Sequence, residues 1–167
     1  MTPMPRPSLL RRLFRSDRGA TLVEFAILLP FLILLFAVIV EGGRIMWSYQ
    51  TAVAGVRDAA RYLGRVVPSD VCAPSQSLPN LNATLLARVR DSVGGTPVMP
   101  AQVTVNSLTT AVACTTGDFR VPQVGVASVT AQVTIALPFR ALLEVMGADF
   151  PDSVTTTITD RTRVFGA

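Results

Sequence analysis

Histidine and lysine are absent from the 167 residues, and cysteine occurs only twice. Without histidine there is no histidine-based triad and no histidine-containing metal site, and two cysteines do not complete a tetrahedral zinc shell. No metal or cofactor is therefore expected. Charge is sparse as well, at 16% of residues, and all 15 basic side chains are arginine. The phosphate-binding loop G-x-x-x-x-G-K and the nucleophile elbow G-x-S-x-G are missing, and no carboxylates pair in a discernible motif. Asp149 and Asp152 flank Pro151 and read as solvated turn residues. An enzyme is not indicated.

Half of the residues are apolar, which is too many for an intrinsically disordered chain. The net charge of +4 is concentrated at one end. Arg6, Arg11, Arg12, Arg15 and Arg18 face only Asp17 within residues 1–19, whereas the ten later arginines meet ten acidic residues. A basic excess confined to a leader does not describe a nucleic-acid surface on a folded domain.

The leader runs directly into ATLVEFAILLPFLILLFAVIV, the 21 residues from Ala20 to Val40, which carry a single charge. At about 1.5 Å per residue this segment matches a hydrocarbon core of about 30 Å. A core helix of a soluble protein would show one polar face, and this run has none. A cleaved secretory signal has a shorter apolar core, followed closely by small residues; here the run is followed by Glu41, Gly42, Gly43 and Arg44. Arginines before the span and balanced charge after it place the N-terminus in the cytoplasm and the C-terminal region across the membrane.

Two residues in the span break local rules. Pro30 removes a helix donor and is expected to kink the helix or loosen the preceding turn. Glu24 places a carboxylate among apolar residues, at a cost of about 2.5 to 3.5 kcal/mol at mid-bilayer and less near the interface. Charge alone leaves two readings equal: a functional pairing, or snorkelling toward the headgroups and Arg18.

The string Arg18-Gly19-Ala20-Thr21-Leu22-Val23-Glu24-Phe25 resembles the processing site of type IV prepilins, in which a membrane aspartic peptidase cuts after the glycine. The wider stretch GATLVEFAILLPFLILLFAVIVEGGR, with Val56-Arg57-Asp58-Ala59-Ala60-Arg61 downstream, is similar to the TadE-like pseudopilins of tight-adherence (Flp) pilus systems. Glu24, Phe25, Pro30, Glu41, Gly43 and Arg44 occupy the places of that family's span pattern. The resemblance covers residues 18 to about 65. It implies cleavage between Gly19 and Ala20 by a prepilin peptidase, and a glutamate at position 24 that neutralises the new terminal amine of a neighbouring subunit. It also implies a minor pseudopilin of the bacterial inner membrane whose partners are other pilins or pseudopilins, the assembly platform and the lipid bilayer. The alternative is an uncut, single-span anchor carrying an exported binding or adhesion module.

Past the span, Ile45, Tyr49, Ala52, Val56, Ala59 and Leu63 step by four and three residues, a helix stripe that continues to Val67-Pro68. A bend in the continuing helix is expected near Gly42-Gly43. The stripe suits packing on its own domain, with the lower half available to a filament seam. Residues 68–82 hold three prolines and read as a loop. Asn82 suits the N-cap of a helix from Ala83 to about Val93 closed by Gly94-Gly95; it also begins a glycosylation sequon, which ranks below capping.

From Val103 the pattern becomes β-like. Strands are expected near Val103–Leu108 and Ala111–Cys114, then Val129–Leu137 and Val154–Thr159, with a short helix from Phe139 to Met146 stopped by Gly147. The fold class is α+β: a long transmembrane helix continuing as a stalk, with a small antiparallel sheet of three to five strands packed on it. The expected division is a leader at 1–19, span and stalk at 20–67, a proline-rich loop at 68–82 and an exported domain at 83–167. Cys72 and Cys114 both fall on the exported side, where a disulfide is permitted; two free thiols are the alternative.

Overall fold

A computed structural model describes residues 17–74, 78–91, 95–118, 120–144, 147, 149 and 151–166. One helix dominates it. Helix α1 spans Asp17–Val66, 50 residues, and continues through both Pro30 and Gly42-Gly43. Leucine, alanine and other helix-compatible residues outweigh these interruptions, and the helix ends ahead of Pro68, which disfavours helical backbone in the residue before it. Residues 1–16, most of the leader, lie outside the described residues.

Helix α2 spans Asn82–Arg90, and strands β1 (Val103–Thr116), β2 (Gln123–Ala136) and β3 (Ser153–Arg163) form an antiparallel sheet in the order β1-β2-β3. A short helix, α3 (Arg140–Glu144), lies in the β2–β3 crossover. The architecture is α+β, a long apolar helix with its upper half against a three-stranded sheet.

The core lies between α1 and the inner face of β2. Ala127, Val129, Ala131, Val133 and Ile135 alternate inward along the central strand. They meet Ala52, Val56, Ala59, Ala60, Leu63 and Val67 of α1, while Leu85 and Val89 of α2 close one side. Alanines on both surfaces let backbone approach backbone. Two glycines mark the tightest contacts: a Cβ on Gly55 would lie 2.6 Å from the Val89 carbonyl oxygen, and one on Gly64 2.8 Å from that of Arg163. Phe165 donates its N–H to the Gly64 carbonyl at 2.8 Å, fastening the chain after β3 to the top of the helix.

Three sequence expectations are corrected. The segments 103–108 and 111–114 form one strand: a register shift between Val105 and Ser107 absorbs an extra residue, so the inward pattern changes phase without ending the strand. Asn82 is the first residue of α2 and not its cap. Leu81 holds the cap position without a side-chain bond, and the Asn80 side-chain oxygen accepts the Asn82 N–H at 3.4 Å. The helix also ends earlier, at Arg90, and Asp91 pairs with Pro97; Ser92, Val93 and Gly94 lie outside the described residues. In the crossover, Gly147 at φ 79° follows the helix as expected, its N–H bonded to the Glu144 carbonyl at 2.8 Å, although α3 itself is described only over 140–144.

Cys72 and Cys114 are joined, with Cα atoms 5.7 Å apart, tying the loop after α1 to the upper end of β1. The outer sheet face is lined with hydroxyls that bond one another across strands, Thr130 with Thr159 at 2.9 Å and Thr134 with Thr155 at 2.8 Å.

Candidate functional site: the projecting half of helix α1

The apolar stripe of α1 behaves differently in its two halves. Ala52, Val56, Ala59 and Leu63 are buried against the sheet and α2, whereas Tyr49 remains exposed and Ile45 is half-buried. Below them the helix leaves the domain. Leu22, Val23, Phe25, Ile27, Leu28, Phe31, Leu32, Ile33, Leu35 and Phe36 are all exposed, around the full circumference. So much apolar surface is stable only when something else removes it from water. The helix is long and apolar enough to cross a membrane.

Gly19, Ala20, Glu24 and Phe25 lie at the start of this arm. Gly19 falls within the first turn of α1, where backbone N–H groups have no intrahelical acceptor, and glycine weakens the turn further. Glu24 stands one turn beyond Ala20 on exposed helix surface, and no described side chain forms an ion pair with it. Pro30 is exposed on the same arm. The side chain of Arg18 lies outside the described residues, which leaves the snorkelling alternative for Glu24 outside them too.

Glu41, Gly43 and Arg44 occupy the junction of arm and domain. Glu41 is 4% exposed, and its Oε2 has no hydrogen-bond partner. An unpartnered buried polar atom is costly, so its presence needs a reason. The Arg44 guanidinium carbon stands 5.4 Å from the centre of the Phe139 ring, within cation–π range. Gly42 and Gly43 face open space. The sequence marked Glu41 as a pattern residue but gave no sign that it would be buried.

An open groove of about 740 Å³ runs between the stalk and α2, with Arg57, Asp58, Arg61, Arg88 and Asp91 on its walls. Arg88 stacks on Tyr62 at 3.9 Å. Its charges are mixed, it contains no histidine or cysteine, and among the described residues no cluster suits a metal ion.

The model of the TadE-like protein family matches residues 19–61, which begin at the candidate cleavage glycine and end in the stalk. No curated protein and no solved structure matches the chain. The match makes this part of the N-terminal helix similar to the TadE-like family.

Proposed function

We propose that the chain is a minor pseudopilin of a tight-adherence pilus, inserted in the bacterial inner membrane and cut between Gly19 and Ala20 by a prepilin peptidase. Its leader is cytoplasmic and its α+β domain lies across the membrane, where it acts in pilus assembly or surface adhesion. In this reading residues 1–19 are removed, 20–67 are span and stalk, 68–82 a connecting loop and 83–167 the exported domain. Its partners are the peptidase, other pilins or pseudopilins, the assembly platform and the bilayer.

The observation that carries this reading is the juxtaposition on the projecting arm. A glycine in a weak first turn, an exposed carboxylate one turn after it and a fully exposed apolar surface beyond are the parts a processed, laterally packed helix requires. Cleavage exchanges a basic leader for a single ammonium on Ala20. In a low-dielectric bundle that ammonium and the Glu24 carboxylate each need an opposite charge, and each supplies it for the other, within one chain or between neighbours.

Glu24→Ala tests the pairing. The variant is expected to be trimmed like the wild type, since Glu24 lies beyond the scissile bond. It should then associate with its neighbours at least about a hundredfold more weakly, given roughly 3 to 5 kcal/mol for leaving one buried charge unpaired. Recovery with partner subunits after detergent extraction measures it. Wild-type recovery of the processed variant would remove Glu24 from the assembly role.

A further inference from the structure

The crossover between β2 and β3 descends to the level at which α1 leaves the apolar run. Ala37 and Glu41 are buried on the side of α1 that carries Arg44 over Phe139, while Phe36, Val38 and Ile39 on the other faces are exposed. Phe139, directly before α3, therefore stands beside Arg44, and α3 is in contact with α1. If Glu24 lies inside the hydrocarbon, the membrane boundary falls at Val40. If Glu24 sits among headgroups, the run from Phe25 to Val40 is only about 24 Å long and the boundary moves up roughly four residues, to Arg44. Both registers put the boundary near Phe139.

We infer that the start of the crossover, residues 138–141, is a second membrane contact, lying in the headgroup and acyl boundary of the far leaflet. This rests on α1 spanning the bilayer, as proposed above. The described side chains at the start of the crossover suit that depth: Pro138 and Ala141 are apolar and exposed, and Phe139 between them is half-buried. Arg140 is paired with Asp152 and with Glu144 at 3.3 Å, so the cation of this segment has carboxylate partners within the crossover itself.

Neighbouring residues complete an interfacial collar. Arg44 lies at phosphate height, and Trp47, 65% exposed, stands about 10 Å above Val40 with a side chain directed back down the helix. Aromatic residues of this kind favour the headgroup layer. With two attachments the domain is held at a fixed tilt on the membrane. Its transfer into a filament requires the crossover to leave the lipid.

The test is fluorescence of the full chain in lipid nanodiscs, in a W47F background, with tryptophan placed by A141W, P138W, T116W or F31W. Thr116 lies at the opposite end of the sheet, roughly 45 Å along the strands from the crossover. A141W and P138W are expected to emit at shorter wavelength than T116W. They should be quenched by lipids spin-labelled near the headgroup, and F31W by lipids labelled at the chain end. The intact disulfide and a cooperative melt report folding of each variant, and P138W serves if A141W fails. Deep quenching of F31W with both crossover variants matching T116W would overturn the contact and leave the span standing. Failure of F31W to quench would overturn both.

Discussion

Gly19→Leu is expected to leave the precursor uncut, its arginines still anchoring the N-terminus on the cytoplasmic side, and to abolish incorporation into any filament fraction. Two effects act in the same direction. A large side chain fills the space that a peptidase selecting glycine requires, and leucine strengthens a first turn that must open for the backbone to enter a protease site. Gly19→Ala separates them. Alanine stays small but favours the helix by about 1 kcal/mol over glycine, so cutting limited by unwinding slows about fivefold, and cutting limited by size changes more. Intact mass of membrane-extracted protein, with and without a co-expressed peptidase, measures both. Complete trimming of Gly19→Leu would contradict the cleavage site.

The second large effect concerns the domain. The Cys72–Cys114 bridge spans 42 positions and holds the loop after α1 against the upper end of β1, where Val71 and Val164 pack on Gly125. Within the loop Val71 donates to the Pro68 carbonyl at 3.1 Å and Ala73 to that of Asp70 at 2.7 Å, both local turns, while Val71 packs against the core. Closing a loop of this size contributes about 4 kcal/mol as an upper estimate from chain entropy, and removing a native bridge typically costs about 2 to 5. At about 3 kcal/mol, within that range, the C72S/C114S double variant is expected to melt about 12 to 24 °C lower, by the shift of about 4 to 8 °C per kcal/mol usual for a domain of 60 to 100 residues. Full alkylation of both cysteines without reductant, or an unchanged melting temperature, would contradict this account.

Local pattern carried a large part of this fold. The run from Ala20 to Val40 and the stripe after it marked α1, because apolar spacing in a helix depends only on the helix itself. The alternation in β2 was equally plain, since the central strand buries one face completely. What local pattern missed depended on partners. β1 is an edge strand with a bulge, so its inward residues Val105, Leu108 and Val112 do not alternate evenly and resemble two shorter strands. Asn82 looked like a cap because of its residue type, but Leu81 continues the loop one residue further and places Asn80 where it can bond to the Asn82 N–H.

The candidate site divides in the same way. Gly19, Glu24 and Phe25 were legible from a short linear motif, and they lie together because they share one helix. The stacking of Arg44 on Phe139 was not legible, for it arises when β2 delivers the crossover to the foot of the stalk. Ile45 and Tyr49 belong to the stripe by spacing, yet stand below most of the sheet and are covered less than the residues above them. Spacing identifies a face, but only the position of the domain determines how far down that face is covered.

The most direct measurement is the N-terminal sequence of the wild-type chain, purified from membranes that contain a prepilin peptidase and from membranes that lack it. The account predicts Ala-Thr-Leu-Val-Glu-Phe in the first and the intact arginine-rich leader in the second. An intact leader in both would contradict it and leave an uncut membrane anchor with an exported domain.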